Sequence, residues 1–428
     1  MRLLHTSSYQ FFETFSPPAY GILSHRWGDS ELSYNDLLTG NHQNGEGYQK
    51  VMDCCALAKS RGLDYVWIDT CCIDKGSSAE LSESINSMWQ WYSRAKECYA
   101  FLADVDSSTT PPERPFESRP YKSSAWFSRG WTLQELLSPR IVIFCDFLWR
   151  PMGEKLDGSI LEELTRITLI PRECLISHPV LHNACVAKKF SWAATRTTTR
   201  PEDMAYCLLG LLGINMPLLY GEGKKAFLRL QQEIIRQTSD ESVFVWRDPA
   251  ADEEYSCGLL ASDVAAFAHS GHVRTADLLR RVPYSVTNQG LDLHATAQRL
   301  QIEEYECLYI PLNCEILDFA EDAILPCGII VTEIRNRYSR VNTHEFRRSW
   351  SSLDSSPPSE VTQRFIIRLQ RWDSEYEPAM VVLKRMIQRI IVSRHSRAVR
   401  AFKAWEVDQA GKPARDIHVA NTAEDSKA

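Results

Sequence analysis

The chain has 428 residues, of which 44% are hydrophobic and 24% are charged, a composition typical of a soluble globular protein. This length exceeds one ordinary hydrophobic core, so we expect two or three domains. The formal net charge of −7 excludes the strongly basic class of protein, and we expect no nucleic-acid partner.

The N-terminal segment has no continuous apolar region, and no apolar run in the chain is long enough to span a bilayer. We therefore predict a cytoplasmic protein without a signal peptide or an integral membrane segment. The thirteen cysteines are scattered, mostly in apolar segments, which indicates reduced core residues. Their spacing does not match a zinc site, so we expect no metal.

Residues 19–146 alternate between strand-like and helix-like patterns. Such alternation predicts a parallel sheet with helices on both faces, in which ligands bind at the carboxyl ends of the strands. The predicted strands are Tyr20–Ser24, Tyr65–Asp69, Cys98–Leu102 and Ile141–Phe144. The predicted helices are residues 47–61, a segment that opens with the capping pair Ser77 and Glu80, and Trp131–Leu137.

Three regions are predicted in the chain. Residues 1–246 hold the parallel sheet, a loop at Ser107–Pro120 and a helical elaboration. Alternating apolar and polar residues predict antiparallel strands in a β-rich lobe over residues 247–345. Residues 346–428 contain a basic helical segment and a polar tail that we predict to be disordered.

Polar and aromatic side chains follow the first two predicted strands, at the edge where ligands are expected. Arg26 could contact a phosphate, or it could pair with Asp29 or Glu31 on the surface. His25 could also contact a phosphate. The candidate binding residues at this edge are Ser24, His25, Arg26, Trp27 and Asp69.

Glu135 is the single charged residue of an otherwise uncharged helical run and follows Trp131 by four residues. A buried glutamate on an apolar helix is costly unless it is neutralised, paired or used in chemistry. Glu135 could therefore be catalytic, or it could pair with Arg129 or Arg140 and fix the helix. We interpret Lys75 as a salt-bridge residue of its loop.

Six short motifs, in this order, resemble the fungal heterokaryon-incompatibility (HET) domain. The resemblance runs from Tyr20 to about Trp246, and the β-rich segment after it is similar to one that often follows this domain. Oligomerisation and repeat modules of larger relatives are missing here, so the resemblance implies a partner HET or sensor protein. The motifs are Ile22–Gly28, Leu63–Lys75, Ala79–Asn86, Arg129–Leu137, Thr199–Gly210 and Pro217–Gly223.

The resemblance implies a role in nonself recognition and programmed cell death. It also implies a fold similar to Toll/interleukin-1-receptor (TIR) domains, some of which cleave NAD. The enzymatic members of that group carry an essential glutamate four residues after a tryptophan, the pattern of Trp131 and Glu135. By this resemblance Glu135 is catalytic, Trp131 helps to bind the substrate, and NAD is a substrate rather than a cofactor.

Cleavage of the nicotinamide–ribose bond passes through an oxocarbenium-like state, and one carboxylate that faces the developing positive charge is enough in principle. The alternative of a different class is a non-enzymatic signalling module that acts by homotypic assembly, with Glu135 structural. For that assembly we expect the helix at residues 80–95 to expose Trp89 or Trp91. A thiol hydrolase based on Cys72 is a third alternative.

Overall fold

A computed structural model gives the structure of this chain, and all described residues belong to one unit, Met1–Arg371. Residues 110–120 of the predicted loop and the basic segment at 376–405 lie outside the described residues. The described residues are 1–40, 45–109, 121, 123–247, 258–276, 283–302, 305–318, 323–334, 337–341 and 360–367.

The first sheet has seven strands. These are β1 Arg2–His5, β2 Phe11–Glu13, β3 Gly21–His25, β4 Tyr65–Trp67, β5 Glu97–Phe101, β6 Val142–Cys145 and β7 Pro151–Glu154. Their spatial order is β2-β1-β4-β3-β5-β6-β7. The central strands β4, β3, β5 and β6 are parallel, whereas β1 and β7 pair antiparallel with them at the two sides. Every residue of β3 is buried, because both faces of a parallel sheet are covered.

Four helices of the described residues accompany these strands. They are α1 Tyr34–Thr39, α2 Glu46–Ser60, α3 Ser78–Arg94 and α4 Thr132–Leu137. The parallel strands lie in the spatial order second, first, third, fourth, which places the change of winding direction between β3 and β5. The predicted parallel sheet flanked by helices is confirmed.

One of the two contacts expected of the Ser77 and Glu80 capping pair is present at the start of α3. The Ser77 hydroxyl accepts a hydrogen bond from the Glu80 backbone N–H at 3.3 Å, as expected of an N-cap. The Glu80 carboxylate does not close the capping box, since it pairs with Arg2 at 2.7 Å. This ion pair ties the start of α3 to strand β1.

Seven further helices follow the sheet. They are α5 Gly158–Thr168, α6 Arg172–Ile176, α7 His178–Asn183, α8 Val186–Ser191, α9 Asp203–Tyr206, α10 Leu209–Leu212 and α11 Lys225–Gln237. No helix among the described residues has the length and apolar character that crossing a membrane requires. Every cysteine in the described part of the chain is buried with a free thiol, which confirms the prediction of reduced core residues.

Helix α10 covers part of α3, and this overturns one expectation. A Cβ atom at Gly210 would lie 2.2 Å from the Cβ of Trp89, so glycine allows the two helices to approach closely. Trp91 packs edge-on against Trp67 with ring centroids 5.5 Å apart. Trp89 and Trp91 are both half-buried, and the prediction that one of them is exposed is wrong.

The β-rich lobe contains a closed barrel. Its strands and the short strands beside them are β8 Val273–Thr275, β9 Ser285–Thr287, β10 Gly290–Ile302, β11 Tyr305–Asp318, β12 Ala323–Ile334, β13 Arg337–Val341 and β14 Glu360–Ile367. Because β10 pairs with both β11 and β14, the five strands β10 to β14 close on themselves. Strand β14 lies past residue 345, where the sequence analysis ended this lobe.

One arginine of the barrel links it to the end of the α/β region. The buried Arg340 donates hydrogen bonds to the carbonyl oxygens of Phe244 and Trp246 at 2.8 and 2.7 Å. Its guanidinium also lies 4.1 Å from the centroid of the Trp246 ring. These contacts make Trp246 part of the junction with the barrel.

Candidate functional site

Strand β3 ends with two buried polar residues, Ser24 and His25. Successive side chains on a strand point to opposite faces, so the two residues enter different clusters. The Ser24 hydroxyl donates a hydrogen bond to Glu135 Oε2 at 2.5 Å and accepts one from Trp126 Nε1 at 2.9 Å. These two hydrogen bonds link Trp126, Ser24 and Glu135, and the bond to Glu135 joins α4 to the carboxyl end of β3.

Glu135 is only 6% exposed. Burial raises the pKa of its carboxyl to about 8, although the hydrogen bond from Ser24 lowers it. No ion pair in the described part of the chain includes Glu135, so the alternative pairing with Arg129 or Arg140 is not formed. The Glu135 carboxyl is therefore mostly protonated at neutral pH in this arrangement.

Two buried cations hold the helix that carries Glu135. Before the helix, Arg196 donates to the Arg129 carbonyl oxygen at 3.0 Å and to the Thr132 hydroxyl at 3.1 Å. At its C-terminal end, Lys155 donates to the carbonyl oxygens of Leu136 and Pro139 at 3.2 and 2.5 Å. Burial lowers the pKa of Arg196 to about 10 and that of Lys155 to about 8. These contacts fix α4, which has no side-chain N-cap of its own.

The second cluster centres on Asp69, just after β4. Its Oδ2 accepts a hydrogen bond from Trp27 Nε1 at 2.8 Å, and its Oδ1 lies 3.2 Å from His25 Nε2. The contact with His25 is within ion-pair distance, but its angle is not that of a hydrogen bond. Burial alone would raise the pKa of the Asp69 carboxyl, but His25, Lys75 and Trp27 outweigh it and lower the pKa to about 2. Asp69 is therefore ionised near neutral pH.

Trp27 is 41% exposed and has two cations over its ring. The distance from Lys75 Nζ to the ring centroid is 3.7 Å, and that from Arg129 Cζ is 5.6 Å. Neither cation forms an ion pair within the described part of the chain. The interpretation of Lys75 as a salt-bridge residue is wrong, because its ammonium lies on the indole face.

Two candidate residues take no part in these contacts. Arg26 is exposed, and its expected partner Glu31 instead pairs with Lys50 at 2.5 Å. The Trp131 indole hydrogen-bonds to the Asp203 carboxylate. That carboxylate also accepts a hydrogen bond from the Tyr220 hydroxyl at 2.9 Å. The structure therefore places Ser24 and Glu135 in one cluster and His25, Trp27 and Asp69 in a second, with Arg26 and Trp131 in neither.

Comparisons with known proteins agree with the motifs. The family model described as "Heterokaryon incompatibility protein (HET)" matches residues 20–122, and one described as "Domain of unknown function (DUF8212)" matches residues 225–293. The chain is 42% identical over 222 residues to Vegetative incompatibility protein HET-E-1 of Podospora anserina.

Residues 20–122 of this chain are similar to the HET family. The match to the Podospora protein covers 51% of this chain but spans only 16% of that relative's length. Ser24, Trp27 and Asp69 lie inside the HET match at residues 20–122, whereas Glu135 lies past its end. No solved structure matches the chain, so the likeness to TIR domains stays a prediction.

Two clefts of the described structure are lined by none of the candidate residues. One of about 780 Å³ is lined by residues of α8, α11 and the β-rich lobe, and one of about 390 Å³ lies between α2 and the loop after β6. Glu135 lines neither cleft. No group of side chains suited to a metal ion occurs among the described residues.

Sequence reasoning missed two contributions to this site. The first is the fully buried Trp126, since a buried indole usually has an acceptor for its N–H group. That rule points to a nearby polar side chain and could have suggested Ser24. The position of Lys155 after α4 had no comparable signal, because β7 places it there by pairing with β6.

Proposed function

We propose that this chain is a cell-death effector in fungal nonself recognition and that its HET domain cleaves NAD with Glu135 as the catalytic carboxylate. The HET match and the 42% identity to a vegetative incompatibility protein support the role in incompatibility. Cleavage of NAD rests on the site and on the resemblance to TIR domains.

The observation that carries the proposal is the 2.5 Å hydrogen bond between Ser24 and Glu135. It holds a buried carboxyl group at the carboxyl end of β3, next to the change of winding direction in the parallel sheet. Doubly wound sheets bind their ligands in the crevice at this position. Asp69 and the half-exposed Trp27 lie at the same edge.

The proposed reaction breaks the bond between nicotinamide nitrogen and ribose carbon. Both bonding electrons leave with nicotinamide, water adds to the ribose carbon, and one proton is released. Glu135 in its ionised form stabilises the positive charge that develops on the ribose. Burial makes this ionised form costly in the free protein, so an adjacent positive charge stabilises it more strongly than it would in water.

The test measures nicotinamide release by the purified full chain incubated with NAD. Glu135→Gln should lower the rate by at least about 100-fold, the usual loss when one electrostatic group of an active site is removed. Glu97→Gln is the matched control, since Glu97 is also buried but lies at the start of β5 and pairs with Arg61. Full turnover by a folded Glu135→Gln protein would overturn the catalytic role.

A second candidate function is non-enzymatic signalling by homotypic assembly. Glu135 is buried, and its carboxyl is hydrogen-bonded to Ser24, which also accepts a hydrogen bond from Trp126. A glutamate held in this way can stabilise the fold without taking part in chemistry, which favours this second function. In this case folded Glu135→Gln protein would still kill cells without consuming NAD. Sedimentation over a range of concentrations would then detect self-association of the full chain.

A further inference from the structure

Lys75 and Arg129 lie beside Trp27 and take no part in the proposed catalytic role of Glu135. Lys75 comes from the loop after β4, and Arg129 comes from the segment before α4. The chain brings both to the same half-exposed indole, at 3.7 and 5.6 Å from its ring centroid. A cation is attracted to the face of an indole ring, which holds each side chain in place.

No neighbouring carboxylate of the described structure forms an ion pair with either cation, although Asp69 attracts Lys75 at longer range. Both oxygens of Asp69 are engaged, one by Trp27 Nε1 and the other by His25. Glu31 accepts from the Gly28 backbone N–H at 2.6 Å and pairs with Lys50. Two positive charges at one ring therefore repel each other, and an anion bound beside both would relieve the repulsion.

We propose that Lys75 and Arg129, held over Trp27, form a binding site for a phosphate-bearing anion. The planar guanidinium of arginine can bind phosphate through two hydrogen bonds, and lysine supplies a point charge. Two cations from separate elements suit a ligand with two linked phosphates better than a single phosphate. The site lies at the carboxyl edge of the sheet, where doubly wound folds bind nucleotides.

In the proposed reaction this site takes the diphosphate of NAD, and that assignment rests on the proposed function. The anion site itself does not depend on catalysis, because its residues are separate from Ser24 and Glu135. Binding of inorganic pyrophosphate therefore tests the site alone, and KM for NAD tests its link to the reaction.

Calorimetry at low ionic strength should detect pyrophosphate binding to the full chain, and binding should weaken as salt is added. Lys75→Gln and Arg129→Gln should each weaken it roughly tenfold, since each removes a charged hydrogen-bond donor to the anion. Arg129→Lys, which keeps the charge, should retain more affinity than Arg129→Gln. The variant Glu135→Gln should bind pyrophosphate as the wild type does.

The matched control removes two cations from the opposite edge of the same sheet. Lys96 and Arg140 are exposed and lie just before β5 and β6. The double variant Lys96→Gln/Arg140→Gln has the same net charge as Lys75→Gln/Arg129→Gln. It should keep pyrophosphate affinity within about twofold, because screened charges on the far edge contribute little.

Three results separate this site from the proposed function. Equal losses in the two double variants, or no binding to the wild type, would overturn the anion site. Specific pyrophosphate binding without NAD cleavage would support the site and count against the catalytic proposal. Cleavage of NAD with an unchanged KM in Lys75→Gln/Arg129→Gln would overturn the assignment of the diphosphate to this site.

Discussion

A buried glutamate lies at each edge of the parallel sheet, and the two glutamates have different partners. At the amino edge, the Glu97 carboxylate accepts hydrogen bonds from the Arg61 guanidinium and from the Tyr99 hydroxyl, the latter at 3.0 Å. At the carboxyl edge, Glu135 has the Ser24 hydroxyl as its side-chain partner and no cation within ion-pair distance in the described structure. The Glu97 carboxylate is paired with a cation, whereas the Glu135 carboxyl stays mostly protonated.

This difference distinguishes an edge arranged for stability from one arranged for chemistry. Cations are present at both edges, but Lys75 and Arg129 lie over an indole instead of pairing with Glu135. Proteins tolerate such uncompensated groups mainly at functional sites, where burial and charge adjust pKa values for a task. The comparison therefore favours the carboxyl edge as the functional side of the parallel sheet.

The largest expected effect concerns the pH dependence of NAD cleavage. If ionised Glu135 is required, kcat/KM should rise about tenfold per pH unit below the Glu135 pKa of about 8 and level off above it. Between about pH 6 and pH 8 the rise should approach 100-fold. Glu97→Gln should keep this profile, and a flat profile for the wild type would contradict the role of Glu135.

The second effect is on stability. The folded state keeps a proton on Glu135 up to about pH 8, whereas the unfolded chain releases it near the ordinary value of 4.5. The free energy of unfolding should therefore fall by about 1.4 kcal/mol per pH unit between these values from this group. Urea unfolding of Glu135→Gln should lack that part of the slope. Identical slopes in the two proteins would mean that Glu135 is ionised when folded.

A third prediction tests the amino edge. Arg61→Met leaves the buried Glu97 without its cation and should lower the free energy of unfolding by about 2 kcal/mol, less than for a fully buried pair because Arg61 is 35% exposed. Arg129→Met should cost less than about 0.5 kcal/mol, since that side chain has no carboxylate partner. Equal losses in the two variants would remove the difference between the edges.

The smallest effect concerns Trp27. Trp27→Phe keeps an aromatic ring but removes the N–H donor to Asp69, and should cost about 1 kcal/mol or less. Asp69 stabilises the fold above its ordinary pKa of 3.8, and this contribution is lost as the pH falls toward 2. The variant should raise the pKa of Asp69, which a carboxyl NMR titration can follow. An unchanged titration would show that the indole N–H does not stabilise the carboxylate.

Much of the fold of residues 19–146 could be predicted, because apolar strands and striped helices leave strong periodic signals. The exposed faces were less predictable. Trp89 or Trp91 was expected at the surface from the pattern of α3, but Gly210 allows α10 to pack on Trp89. The end of the barrel was also missed, since β14 is recognised by its pairing with β10 across a long separation in sequence.

The sequence by itself determined that Ser24 and Asp69 share one edge, because parallel strands align their carboxyl ends. Only the tertiary structure decided which partners their side chains take. Glu135 meets a serine 111 residues away instead of a nearby arginine, and Arg129 points to Trp27. Those choices depend on how α4 is held between buried cations and on which face each strand residue occupies. Neither feature produces a periodic pattern in the amino-acid sequence.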